Sequence, residues 1–347
     1  MYRIWNTSMK KIIVAGCGGM SNAWINPVLK REDCRIIALV DPADGKAGAK
    51  KDEHNLNCNV YTSLEEACNT EDADIVFDIT PPEFHYKTVT TALKAGLHVF
   101  GEKPMAENQE DAEKMIQCSD DNKKEYFVMQ NYRYVPEIAA LKKFLRSNEI
   151  GNIGQISANF QLNPRFGGFR DQMESPLILD MSIHTFDAAR YLSGANAKTV
   201  FCHEFNPAWS WYAGDANAVS IFEMEDGTVF DYRGSWCATG LLTPWNSEWR
   251  ISCSEGTVFW DGKNELYWDG KKAPFGADPL KANEIPVEQM DNTGHSGCLG
   301  EMFEALEKGS LEKRIRPQTD CRDNIHSITM VFNAIESSKS KKLINFK

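Results

Sequence analysis

The stretch Ile12-Ile13-Val14-Ala15-Gly16-Cys17-Gly18-Gly19-Met20-Ser21 reads as a buried strand that breaks into a glycine turn and then opens a helix. An uninterrupted apolar run of this kind suits a strand covered on both faces, as in a parallel sheet. Gly16 permits the tight turn, and Gly18 lets a backbone approach a pyrophosphate closely. The helix that follows offers the positive end of its dipole to phosphates. Gly19 and Met20 lie in the same turn and join the candidate set. Ser21 stands where a third glycine is usual; it is small enough for close packing but departs from the motif.

Outward from this turn, short apolar runs at 35–40, 75–77, 98–100 and 126–129 alternate with helical segments such as 82–94 and 109–121. Strand–helix repetition on this scale predicts a doubly wound α/β Rossmann domain with a parallel sheet over residues 9–131. Asp41 ends the second strand about 20 residues after the glycines, where a carboxylate accepts hydrogen bonds from ribose hydroxyls. A negative charge there repels a 2′-phosphate, so NAD is expected over NADP, although Lys46 follows closely. The alternative is that Asp41-Pro42 only starts a turn.

After Tyr134 the texture changes. A helix at 136–147 leads into alternating runs at 155–161, 199–204, 218–223, 228–235, 248–252 and 257–260, with Asp226-Gly227 and Asp261-Gly262 as turn signals. Residues 132–347 are therefore expected to form an α+β domain with a large, mostly antiparallel, open-faced sheet, interrupted by one helix at 179–192. Late helices are read at 301–308 and 320–337, the second with scope to return toward the first domain, and a short strand at 343–346. Residues 271–292 read as an irregular loop. Seven of the nine tryptophans lie beyond residue 200, which points to an aromatic sheet face.

The bulk numbers bound the function. A net charge of -11 argues against nucleic acid or an anionic membrane surface as partner, because both demand clustered cations. No apolar run approaches the ~20 residues of a membrane span. Met1 to Met9 lacks a signal-peptide core, and Met9 is a candidate functional start. The ten cysteines show no metal-ligand or disulfide spacing, which points to a reducing, cytoplasmic setting. No metal is expected from the seven dispersed histidines.

One further group carries chemistry. Glu102-Lys103-Pro104 follows the strand run at 98–100, placing Lys103 at the carboxyl edge where such sheets bind ligands. Pro104 keeps Lys103 extended. An ammonium there polarises a carbonyl or stabilises a developing alkoxide.

Gly16 to Ser21, Thr80-Pro81-Pro82 with His85, Glu102-Lys103-Pro104, Asn131-Tyr132-Arg133-Tyr134, and Asp180 with His184 in D-x-x-x-H spacing appear in the order found in one family. The chain resembles the Gfo/Idh/MocA oxidoreductases, which include inositol 2-dehydrogenase and glucose-fructose oxidoreductase. The resemblance covers nearly the whole chain. It implies a Rossmann domain followed by an open-sheet domain, with substrate held between them. Cofactor contacts are implied for the glycine turn, Asp41, Thr80, Pro81, Pro82, His85, Glu102 and Lys103. It also implies that His184 exchanges a proton with a substrate hydroxyl while Asp180 orients the ring or binds a neighbouring hydroxyl. Four residues apart on a helix, the two face one side, and histidine titrates near neutrality. An ordinary capping aspartate and a packed histidine remain the other reading.

Arg133, Asn163, Arg165 and His295 complete the candidate substrate set, and a structural salt bridge is the alternative for Arg133. The loop Arg165-Phe166-Gly167-Gly168-Phe169-Arg170 reads as a substrate lid, or equally as a surface or subunit-contact loop. Family members often carry glycines just before the aspartate, whereas this chain has Glu174-Ser175-Pro176-Leu177-Ile178-Leu179. Trp236, Trp245 and Trp249 are either sugar-stacking residues or core or subunit-interface residues. The expected activity is NAD(H)-dependent hydride transfer on a ring hydroxyl or ketone of a cyclic polyol, sugar or glycoside. An NAD-dependent glycosidase working by transient oxidation and a non-catalytic NAD or sugar-binding regulator are the alternatives. A homo-oligomer, dimer or tetramer, is expected.

Overall fold

A computed structural model describes residues 9–147, 149–270, 282–308 and 317–346. The chain divides into two units, Met1–Asn131 with Asn292–Ile325, and Tyr132–Asp291 with His326–Lys347.

In the first unit, six parallel strands lie in the order β3-β2-β1-β4-β5-β6. They are β1 Lys10–Ala15, β2 Cys34–Val40, β3 Asn59–Tyr61, β4 Ile75–Asp78, β5 His98–Gly101 and β6 Tyr126–Val128. Helices α1 Ser21–Val28, α2 Lys46–Glu53, α3 Leu64–Thr70, α4 Pro82–Lys94 and α5 Gln109–Asn122 connect them. This is the doubly wound order, with its switch point at β1, which pairs with both β2 and β4. Pro82 at the first turn starts α4, because its missing N–H would be unpaired there in any case. Asn108 caps α5 by accepting from the Asp111 amide at 2.9 Å.

The core of this unit is an aromatic row. Phe77, Phe100 and Phe127 occupy paired positions on β4, β5 and β6, with ring centroids 5.6 and 5.5 Å apart. Trp24 of α1 packs on Phe77 at 4.9 Å. Phe303, on helix α8 Gly294–Glu307, meets Phe100 at 5.3 Å and Phe77 at 6.3 Å. Those contacts explain why residues 292–325, read from sequence as part of the second domain, belong with the parallel sheet. Helix α9, Cys321–Ser340, is shared: it counts with the first unit to Ile325 and with the second from His326.

The second unit holds a nine-stranded sheet in the order β14-β13-β12-β11-β7-β10-β9-β8-β15. Its strands are β7 Ile153–Gln161, β8 Ala197–Phe205, β9 Asn217–Met224, β10 Val229–Ser235, β11 Glu248–Cys253, β12 Gly256–Trp260, β13 Leu266–Gly270, β14 Asn283–Glu284 and β15 Ile344–Asn345. Only β7 and β10 pair in parallel; the other pairs are antiparallel. Helix α6 is Pro136–Leu145 and α7 is Ile183–Ser193. Phe186 of α7 is the anchor, set edge-on against Phe222, Phe230 and Tyr232 of the sheet at 4.9 to 5.9 Å. Buried and exposed residues alternate along β8 and β9, as a sheet covered on one face requires.

Two expectations change here. The helix read at 179–192 begins with a π-helical turn, Leu177–Ser182, before α7. Ser182 supports that wide turn by donating to the Leu177 carbonyl at 3.1 Å, five residues back. Of the loop read at 271–292, residues 271–281 lie outside the described residues, while 283–284 form β14.

Candidate active site

The glycine turn separates into two functions. Gly16 has φ +95°, and a Cβ there would come within 2.4 Å of the Ile79 carbonyl oxygen, so its bare backbone serves the protein's own packing against β4. A Cβ on Gly18 or Gly19 would meet nothing within 4 Å. The turn is open at those positions, as a cradle for a phosphate group requires. Ser21 is fully buried, and its hydroxyl donates to the Gly18 carbonyl at 2.6 Å, so the residue replacing a third glycine braces the turn. Met20, at the helix entry, is exposed. No carboxylate lies in the first turn of α1 and no side chain caps it, which leaves the positive dipole end to an anion.

Beside the turn lies a cavity of about 420 Å³ bounded by Gly16, Asp41, Lys46, Thr80, Pro81 and Phe84, among others. Asp41 is 7% exposed on its wall. Its Oδ2 accepts from the Cys17 amide at 3.0 Å and its Oδ1 from the Ala43 amide at 3.0 Å. Each oxygen keeps a further lone-pair direction for a ribose hydroxyl. Turn, dipole end and carboxylate fit a dinucleotide with an unphosphorylated ribose. Lys46 shares the wall with Asp41.

His85, placed in the cofactor set by resemblance, is 0% exposed and off the cavity wall. Its Nδ1 lies 2.6 Å from Asp78 Oδ2, while Asp78 Oδ1 accepts from the Thr80 amide at 3.1 Å and the Thr80 hydroxyl at 2.6 Å. His85 fixes Asp78, which in turn holds Thr80 on the wall. Pro82 starts α4 behind that wall.

Lys103 follows β5, and the Lys103–Pro104 peptide is cis rather than simply extended. Glu102 is buried and holds three neighbours. Its Oε1 accepts from Trp24 Nε1 at 2.6 Å and lies 3.6 Å from His295 Nε2, and its Oε2 accepts from the Lys103 amide at 3.2 Å. Burial pushes its pKa up, but the His295 and Trp24 bonds outweigh this and hold it below the usual value. Glu102 thus anchors the Lys103 backbone, and His295 belongs to the same cluster, with Asn131 Nδ2 3.5 Å from its Nδ1.

In the second unit Asp180 lies in the π turn and His184 in the first turn of α7. Asp180 Oδ2 accepts from Arg170 Nε at 2.7 Å. The His184 ring stacks on Tyr132 with centroids 4.2 Å apart and planes at 18°. The Arg133 guanidinium meets Asp187 in a buried two-point pair at 2.8 and 2.6 Å, the salt bridge read as the alternative. Asn163 Nδ2 donates to the Ala238 carbonyl at 3.1 Å, and the Arg165 guanidinium lies 3.9 Å from the Trp211 ring centroid. Trp236 and Trp249 are core, whereas Trp245 is half exposed. Trp24 was missed; its contact to Glu102 spans 78 residues of sequence.

The family described as "Oxidoreductase family, NAD-binding Rossmann fold" matches residues 10–130, and the "GFO/IDH/MocA C-terminal domain" matches residues 138–259. The chain belongs to the Gfo/Idh/MocA oxidoreductase family. It is 24% identical to the uncharacterized protein y4oX of Sinorhizobium fredii, over 94% of this chain and 93% of that protein. It is 26% identical to inositol 2-dehydrogenase of Corynebacterium glutamicum over 64% of this chain and 65% of that enzyme. The fold superposes on an oxidoreductase from Agrobacterium radiobacter in complex with NAD+, L-tartaric acid and magnesium. The TM-score is 0.85 at 18% identity, covering 97% and 98% of the two chains. Among the described residues, no helix is long and apolar enough to cross a membrane, and no group of three or more His, Cys, Asp or Glu is placed to hold a metal.

Proposed function

We propose that this protein is an NAD(H)-dependent dehydrogenase or reductase that moves a hydride between a ring carbinol carbon of a cyclic polyol, sugar or glycoside and the nicotinamide. The likeness to inositol 2-dehydrogenase supports the substrate class. The observation that carries the reading is Lys103, placed after a parallel strand at the carboxyl edge of the sheet and anchored through Glu102. NAD supplies the hydride acceptor when bound. Gly18, Gly19 and the α1 dipole hold its phosphates, and Asp41 accepts from the ribose hydroxyls and disfavours a 2′-phosphate. Lys103 hydrogen-bonds the reacting oxygen and stabilises it as the C–O bond order changes. His184 takes the hydroxyl proton in oxidation and returns it in reduction. Asp180, fixed by Arg170, binds a neighbouring hydroxyl.

None of the ten cysteines is in a disulfide, which favours a reducing cytoplasmic compartment. Phe201, Phe205, Val219 and Ile221 are exposed on the outer face of the second sheet, the surface through which copies of the chain would pair.

A panel of inositols, monosaccharides and glycosides, read by NADH absorbance with product identification, tests the activity. Lys103→Ala should lower kcat by at least about a hundredfold, the scale of one oxyanion-stabilising donor, while leaving the NAD Kd within a few-fold. Retained turnover in that variant would remove Lys103 from the chemistry.

A further inference from the structure

The motif Asn131-Tyr132-Arg133-Tyr134 forms a 3-10 turn after β6, and two of its consecutive side chains grip one face of α7. His184, Asp187 and Tyr191 lie three and four residues apart, so they make a stripe along that helix. Arg133 holds Asp187 through two hydrogen bonds, and its guanidinium carbon lies 5.2 Å from the Tyr191 ring centroid. Tyr132 takes the remaining member, its ring lying over the His184 imidazole at 4.2 Å with planes at 18°. Phe186, on the opposite side of α7, is packed into the sheet. The helix is gripped from both sides, which fixes the register of the stripe against the turn.

The Tyr132 ring is held at its far end as well. Its Oη donates to the Trp245 carbonyl at 3.2 Å. Two residues on, the Ser247 hydroxyl lies 3.2 Å from that of Thr185 on α7. One loop therefore fastens both the tyrosine and the helix that carries His184. Burial pushes the Tyr132 phenol up from its ordinary value, so it stays a neutral donor near neutral pH. The second side-chain torsion of a histidine is broad when nothing packs on the ring. A parallel ring on its face removes that freedom, because the imidazole turns only if the tyrosine moves away.

We infer that Tyr132 is a positioning residue for the proton step: it fixes the plane of the His184 ring, and with it the nitrogen that exchanges the substrate hydroxyl proton. Proton transfer needs the base within about 2.6 to 3.2 Å of its partner, and small misplacements of reacting groups cost up to roughly a hundredfold in rate. The inference rests on the proposed oxidoreductase reading and assigns a further residue to its chemistry.

The test uses the full chain with NAD and the panel of inositols, monosaccharides and glycosides. Tyr132→Met, which fills space without a flat ring, should lower kcat by about tenfold or more while KM and the NAD Kd stay within a few-fold. Its solvent deuterium isotope effect should rise as proton transfer becomes limiting. Tyr132→Phe keeps the ring and should recover most of the rate. In a His184→Ala background, Tyr132→Met should cost less than about twofold further, because its effect passes through the missing imidazole. Losses that simply add in this cycle, or a Phe variant as slow as the Met variant, overturn the inference. A second readout needs no turnover: NMR of the histidine rings, with the His184 signals identified by their loss in His184→Ala. Those signals should lie upfield in the wild type and in Tyr132→Phe, shifted by the stacked ring, and move downfield in Tyr132→Met. Unmoved signals in Tyr132→Met also refute it. Should Tyr132→Met lose its circular dichroism, Tyr132→Leu takes its place in each measurement. An intact upfield shift without NADH formation on any member of the panel would sink the hydride-transfer reading while leaving the ring placement standing.

Discussion

At the scale of single residues, side chains that look alike in sequence divide by what they touch. Asp41 keeps lone pairs toward the cavity although both oxygens already accept backbone amides. Arg133 and His85 each pair with a buried carboxylate, Asp187 and Asp78. A carboxylate about 4 Å from a phosphate charge costs ~1 to 4 kcal/mol between bulk water and a protein surface. Asp41→Asn, which retains an acceptor, is therefore expected to shift the ratio of NADP to NAD affinity by about tenfold or more toward NADP. Fluorescence titration with both dinucleotides measures it, and an unmoved ratio would reduce Asp41 to a turn residue. The motifs made Lys103, Asp41 and the glycines legible. They did not distinguish Gly16, needed for packing, from Gly18 and Gly19, which leave open space.

At the scale of elements, strong periodicity and punctuation were read well. Helix α4 runs over Pro82–Lys94, as the proline and the apolar spacing indicate. The strand β3, Asn59–Tyr61, escaped notice because three half-exposed residues make no apolar run. The π turn was equally hidden; Ser182 at its end lies with its hydroxyl 2.9 Å from Tyr232 Oη, fifty residues away. Helix α8 was recognised as a helix, but its partner was not. Phe303 is buried against Phe77 and Phe100. Phe303→Ala should destabilise the first unit by about 3 to 5 kcal/mol, through lost burial and the cavity left behind. Urea unfolding is the measure, and a loss under about 1 kcal/mol would show that α8 contributes little to that core.

At the scale of the whole molecule, one buried carboxyl makes stability depend on pH. Glu204 on β8 is pushed up to about 7, first by burial and then by the charge of Asp215, against the opposing effects of Ser175, Lys339 and Lys341. Its Oε1 meets no hydrogen-bond partner among the described residues. Between its ordinary value of 4.5 and about 7, the folded state keeps a proton that the unfolded chain has lost. The stability linked to that proton is complete below pH 4.5 and disappears as pH rises through about 7. The difference amounts to about 3 kcal/mol at most. Glu204→Gln should therefore gain stability over the wild type at pH 8 and lose that advantage near pH 5. A constant difference between the two proteins across that range would refute the assignment.

Local chemistry alone determined much of this protein. Buried β-branched runs, a glycine turn and an aspartate at the next strand end specify a parallel nucleotide-binding sheet, because each signal is complete within a few residues. The alternating runs after Tyr134 likewise specify an antiparallel sheet. Tertiary structure decided what depends on distant partners. It assigned residues 292–325 to the first unit through Phe303, paired His85 and Arg133 with buried carboxylates, and brought Phe166 against Trp236 and Trp245. Burial and pairing are properties of neighbours in space, and no spacing along the chain encodes which neighbours will meet.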